Sequence, residues 1–349
     1  REHNQLLVSF IKIIHTQRRY IEKNCHEMYR TTFCRAIFSA WFTLCITHNQ
    51  NTVEAFLPTC PSQATPHNCH SSTFGHRTKF STSIAASDTL SSPKPTPVEN
   101  VVVLEDADAV GDKVRSIVIE AAERAIAERG YFALAIPGGS ILKMLVGGED
   151  LERWTSKTTI AYVNHKCVDM EDGSLATHAK ARKLFLDNWQ GATTIVMDGT
   201  DDGLAEAASY EAKLRALPEE ILPRCADTGL PVFDLALIGV GDDGHVGSLY
   251  PGRDEVLAGP EKWVLPVDMK SPPSITLSLP VMSGARQVVI AACGVSDKYP
   301  QGKSEGMKRA VVADGETIVT FPAVGLRDVA TWIMDEAAAS KLGEQYLSK

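Results

Sequence analysis

FDLALIGVGDDGHVGSLYPG, residues 233–252, carries two signals in one stretch. Phe233–Ile238 is a short run, apolar except for Asp234, closed by glycine, the pattern of a strand buried on both faces. Between Gly239 and Gly247, four glycines and two aspartates surround one histidine. Each glycine costs backbone entropy on ordering, so this composition is expensive for a mere connector. A buried strand that empties into such a loop is the local grammar of a parallel α/β sheet.

The pattern repeats outward from there. Strands are predicted at Val101–Leu104, Phe132–Ile136, Thr159–Val163, Thr193–Met197, Phe233–Ile238 and Gln287–Ala292. Helical patterns run between most of them, at 175–188, 204–216 and 327–342. Val110, Val114, Ile117, Val118, Ala121 and Ala125 form one further helical face that ends before Gly130. The alternation predicts an α/β fold, Rossmann-like, with a mostly parallel sheet and helices on both faces. Ligands of such sheets bind at the carboxyl ends of the strands.

Three loops that follow predicted strands would therefore open on one edge. In IPGGSIL (136–142), Gly138 and Gly139 allow a tight turn and Ser140 opens a helix, whose free N–H groups suit a phosphate. The plainer reading is a strand-to-helix turn capped by Ser140, and G-x-G-x-x-G is absent. The glycine loop offers His245 as general base, because a histidine of ordinary pKa, about 6.5, is neutral at physiological pH. NHKCVDMEDG (164–173) and the helix after it bring His165, Lys166, His178 and Arg182 toward the same edge. Alone, that segment reads as a solvated charged loop.

Charge divides the chain. Residues 1–98 hold 10 Lys/Arg against 5 Asp/Glu, and the remainder holds 25 against 38. A domain that acidic is not expected to bind nucleic acid, which needs clustered Lys and Arg. Five of eight cysteines precede residue 70, and Cys167, Cys225 and Cys293 are far apart with no C-x-x-C pair. Neither a disulfide framework nor a zinc site is predicted, and no cofactor is expected.

Residues 1–98 lack a sustained amphipathic period and run into the Ser/Thr/Pro-rich STSIAASDTLSSPKPTPVEN (81–100), read as a linker. The expected division is a leader over 1–98 and a catalytic domain over 99–349. AIFSAWFTLCI (36–46) is too short to span a bilayer and long enough for a signal-peptide core. VEAFLP (53–58) resembles the Ala-Phe junction of two-part plastid presequences, so a removable targeting segment fits; a misread gene start over the first 30 or so residues fits equally. Cytoplasm and plastid both stay open, as do monomer and homodimer, and no membrane association is expected.

The segment 233–252 also resembles the signature of the 6-phosphogluconolactonase family, a hydrophobic strand followed by G-x-G-x-D-G-H-x-x-S-L-F-P-G. IPGGS, SITLSLPVMSGARQVVIAACG (274–294) and AVGLRDVATWIMDEAAASKL (323–342), similar to the family's C-terminal helix, extend the resemblance over nearly all of 100–345. The related glucosamine-6-phosphate deaminases usually carry Asn before the Gly-His pair. Asp243 and the continuation SLYPG favour the lactonase.

The resemblance implies hydrolysis of 6-phospho-D-glucono-1,5-lactone, a phosphorylated sugar lactone, to 6-phosphogluconate in the oxidative pentose phosphate pathway, without metal or cofactor. His245 would activate water, Asp243 would order the site, and Gly138, Gly139 and Ser140 would cradle the phosphate. Lys303, with Lys298 as competitor, would pair with that phosphate. The family's Asp-Glu-Arg triplet stands here as Asn164, His165 and Lys166, and its Ser-Asn-Tyr as Ala176, Thr177 and His178. Lys166 keeps the charge but loses the guanidinium fork, so phosphate binding is expected to weaken or change geometry. A deaminase-type isomerase and a non-catalytic sugar-phosphate binder are the alternatives.

Overall fold

The structure, a computed structural model, describes residues 100–148, 152–295, 302–313 and 315–347. All fall within the unit Asp88–Lys349. The leader, its apolar run and Lys298 lie outside the described residues.

In chain order the elements are β1 (Val101–Leu104), α1 (Ala107–Arg129), β2 (Phe132–Ile136), α2 (Ile141–Met144), α3 (Glu152–Thr155), β3 (Thr158–Tyr162) and β4 (Asn164–Lys166). There follow α4 (Thr177–Leu184), β5 (Thr193–Thr194), α5 (Gly203–Ala216), β6 (Leu235–Ile238), β7 (Val264–Val267), β8 (Ser274–Leu277) and α6 (Leu279–Ser283). The last are β9 (Val288–Ala292), α7 (Ser304–Val311), β10 (Ala330–Asp335), α8 (Glu336–Ala339) and α9 (Glu344–Leu347).

Seven strands form one parallel sheet in the order β1-β10-β9-β6-β2-β3-β5. Every residue of β2, β3, β6 and β9 is buried, so both faces are covered, and this is why these strands read as unbroken apolar runs. α1 is started by Asp106, whose side chain accepts from the N–H of Asp108 (3.0 Å) and Ala109 (2.9 Å), and stopped by Gly130 at φ +89°. Its expected apolar face, Val110 to Ala125, is the buried one. From β2 the chain steps through β3 to β5, and from β6 it steps the other way through β9 to β10. The order thus reverses between β2 and β6, the switch point at which such sheets open a crevice.

Several expectations need correction. The helix predicted over 327–342 is interrupted by β10, which pairs with both β1 and β9. ATWIMD is an apolar run that suits a strand covered on both faces as well as it suits a buried helix, and only tertiary pairing decides. The helix over 175–188 narrows to α4 and a 3-10 turn, Leu186–Asn188, and the strand at 193–197 shrinks to two residues. Ser140 does not cap α2, which is a single turn.

A second sheet, β4-β8-β7, antiparallel throughout, was not expected. Its strands are three or four residues long and two are broken or flanked by proline, too brief to show a period. Glu211 on α5 secures it by accepting from the N–H of Trp263 (2.9 Å) and Val264 (3.0 Å). β4 starts two residues after β3 ends, so this sheet grows from the carboxyl edge of the main one.

Candidate active site

β6 delivers the glycine loop to that edge, beside the β2 loop across the switch point. The loop folds back at once: the N–H of Gly241 donates to His245 O (3.0 Å), and the N–H of Gly244 to Gly241 O (3.1 Å). A Cβ on Gly241 would overlap the His245 ring and lie 2.6 Å from Asp243 Oδ1, so only glycine lets the imidazole lie there. Gly244 has φ +83°, and a Cβ there would enter the Phe321 ring. The N–H of Ala323 donates to Gly244 O (2.9 Å), fastening the loop from beneath.

Asp243 and His245 form the chemical centre of this loop. Asp243 Oδ1 lies 2.6 Å from His245 Nδ1 and also accepts from the His245 N–H at 3.1 Å. The hydrogen bond from His245 holds the Asp243 carboxyl down to about 2 against the opposing effect of burial. Asp243 is therefore ionised and accepts only, so Nδ1 donates to it, and in the neutral imidazole the lone pair falls on Nε2. The His245 side chain is 22% exposed, so that lone pair can reach water. This is the orientation a general base requires.

α7 closes one side. Lys303 Nζ donates to Val240 O at 3.0 Å, and a Cβ on Gly306 would meet Asp242 O at 3.2 Å, so the start of α7 lies against the loop. Opposite in sequence, Asn164 Nδ2 donates to Ser248 Oγ at 3.2 Å, and the Ser248 N–H donates to Thr276 Oγ1 at 3.1 Å. β4 is thereby tied to the loop through its Asn164 face. Strand alternation puts Lys166 on that face too.

The same alternation turns His165 the other way, into the interior, where it is 1% exposed. Its Nδ1 donates to Lys166 O at 2.6 Å and its Nε2 accepts from the His178 N–H at 3.0 Å. Burial pushes its pKa down to about 4, against the backbone hydrogen bond that favours the cation. Nδ1 is thus used on β4 and Nε2 on the first turn of α4, so both ring nitrogens are engaged within the protein. His178 bonds Tyr162 OH at 2.8 Å, and burial lowers its pKa as well. Arg182 is held by Glu171 (3.0 Å) and Asp187 (3.0 Å).

Gly138 stands near this brace, with Thr177 Oγ1 3.1 Å from where its Cβ would be, and Gly139 adopts φ +83°. Ser140 is exposed at the end of the same loop. A cavity of 590 Å³ lined by Asp201, Asp202, Arg253, Glu255, Leu265 and Asp268 holds none of the expected residues. Its one arginine is paired with Glu255 (2.7 Å) and Asp268, so an acidic lining remains that would repel a phosphate. Among the described residues, no cluster of His, Cys, Asp and Glu has the makings of a metal site, and no helix is long and apolar enough to cross a membrane.

Sequence reasoning passed over Tyr250, Phe321, Thr276 and Gly306. Tyr250 stood inside the quoted signature and could have been found; the others reach the loop from remote segments without a local pattern.

Fold and site together define an α/β protein that carries an Asp–His pair on the loop at the switch point of a parallel sheet. Residues 105–332 match the family model of glucosamine-6-phosphate isomerases/6-phosphogluconolactonase, and the chain belongs to that family. The 6-phosphogluconolactonase of Rattus norvegicus is 31% identical over 262 residues, covering 69% of this chain and 93% of the rat protein. The chloroplastic 6-phosphogluconolactonase 3 of Arabidopsis thaliana is 31% identical over 227 residues, 62% of this chain and 66% of that one. The crystal structure of 6-phosphogluconolactonase from Leishmania guyanensis shares the fold, with a TM-score of 0.58 at 23% identity over 70% of this chain and 98% of that one.

Proposed function

We propose that this chain hydrolyses 6-phospho-D-glucono-1,5-lactone to 6-phosphogluconate, with His245 as the general base. The observation that carries this reading is the Asp243–His245 pair at 2.6 Å on the glycine loop after β6. The names of the relatives support the substrate.

His245 Nε2 takes a proton from water as its oxygen attacks the C1 carbonyl. N–H groups and cations at the cleft stabilise the oxyanion, worth most where water is excluded. The C1–ring oxygen bond then breaks, and the proton held by His245 passes to the departing ring oxygen. Ionised Asp243 fixes the tautomer and stabilises the transient imidazolium. Lys166, Lys303 and the Gly138–Ser140 turn anchor the 6-phosphate, each through donors that an anion accepts.

The test uses the full chain and freshly prepared lactone, with ring opening measured against the spontaneous rate. Acceleration should fall about 10²–10⁴-fold in His245→Ala. Full activity in that variant would remove His245 from the mechanism. Ammonia released from glucosamine 6-phosphate would assign the chain to the isomerase branch, and stabilisation by 6-phosphogluconate without turnover would make it a binder.

A further inference from the structure

Tyr250 has no part in the chemistry above, yet it touches the base. The rings of His245 and Tyr250 have centroids 4.9 Å apart and planes inclined by 35°, a tilted ring–ring contact. The other restraints on the imidazole act at a single edge. Asp243 Oδ1 holds Nδ1, and the bare Gly241 backbone leaves room for Nδ1 and Cε1. A hydrogen bond at one edge fixes where Nδ1 sits, but it lets the ring swing about that bond and carry Nε2 with it. A second ring laid against the imidazole face removes this remaining freedom.

Tyr250 is itself well placed to act as a stop. Val246 and Leu249 exchange backbone hydrogen bonds (3.3 and 2.9 Å), a tight turn that brings residue 250 back over residue 245. Lys270 Nζ lies 4.7 Å from the centroid of the Tyr250 ring, a cation–π contact that ties the ring to the segment before β8. Both contacts are made by the ring, and neither needs the hydroxyl.

We propose that Tyr250 is a positioning residue for lactone hydrolysis: its ring face holds the plane of the His245 imidazole, so that Nε2 stays aimed at the attacking water. This rests on the lactonase reading. Misaiming a bound base costs rate without costing substrate affinity, because the substrate is held by other groups.

The experiment compares Tyr250→Leu, Tyr250→Phe and wild-type full chain in the lactone assay, alongside the proton spectrum of the His245 ring. Tyr250→Leu should lower kcat about tenfold with KM unchanged, and Tyr250→Phe should restore kcat. The His245 ring protons should carry the ring-current displacement of a stacked aromatic in wild type and Tyr250→Phe and lose it in Tyr250→Leu. Unchanged kcat in Tyr250→Leu would overturn the proposal. So would a fall in kcat matched by a rise in KM and a lower Tm that phenylalanine does not rescue, since that is a packing defect. A wild type that does not accelerate hydrolysis defeats the lactonase reading itself, an outcome told apart from the others before any variant is made.

Discussion

The glycine loop after β6 and the charged segment after β3 look alike in composition. Each leaves a strand of the main sheet, and each brings histidine and acidic residues to its carboxyl edge. Yet the first turns its backbone inward and holds His245 toward solvent, while the second folds its titratable groups back on themselves. His165 is buried, His178 is bonded to Tyr162, and Arg182 is held by two acids. The contrast is physical. A neutral histidine can be satisfied inside a protein by two hydrogen bonds, so its presence near an edge says little. A glycine whose Cβ would strike a side chain has no such alternative, and Gly241 and Gly244 hold the His245 loop to one path in this way.

The sharpest way to break the comparison lies within the loop. A methyl group on Gly241 would occupy the position of the His245 ring, whereas on Gly239 its nearest neighbour would be Ile141 Cδ1 at 3.8 Å, an ordinary contact. Gly241→Ala should cost about 10²–10³-fold in kcat, approaching loss of the base itself, with Gly239→Ala close to wild type. Equal activities in the two variants would show that loop geometry is not what places the histidine.

The charged segment makes a different prediction, in stability and not in rate. His165 has its pKa pushed down to about 4 from the ordinary 6.5, so the folded state binds fewer protons than the unfolded state between those values. Stability therefore rises with pH across that window. The contribution of neutral His165 is whole above pH 6.5, is lost as pH falls toward 4, and amounts to about 3 kcal/mol. Urea unfolding of wild type against His165→Gln at pH 7, 5 and 4 should show the wild type losing its advantage as the solution is acidified. A difference that does not vary with pH would mean that His165 is not held neutral.

Much of this was legible before the structure. β1, β2, β6, β9 and the buried face of α1 followed from apolar runs and a 3.6-residue period, and His245 with Asp243 stood in a single unbroken motif. β10 was not legible because ATWIMD satisfies helix and strand equally until its neighbours are known. The small sheet was not legible because VLPV and SITL, at four residues each, are too short to show a sustained alternation. The inward turn of His165 was hidden for a related reason. It depends on the register Asn164↔Thr276, a pairing across more than a hundred residues, and a shift of one position would have exchanged the faces of Asn164 and His165.

The smallest effect sharpens the comparison at Lys166, the charged residue on the strand face that Asn164 turns to the loop. Lys166 shares a strand face with Asn164, whose amide reaches Ser248, and it presents a single ammonium where a guanidinium would present a fork. If it holds the 6-phosphate, Lys166→Arg should gain a second parallel N–H···O bond and lower KM up to about tenfold, with kcat unchanged because the added contact is equal in ground and transition states. Unphosphorylated gluconolactone supplies the control, and its KM should not move. A KM that is unchanged for both substrates would mean that the phosphate lies beyond this strand, toward Lys303 and the Gly138–Ser140 turn. The charged segment would then brace the site without touching its ligand.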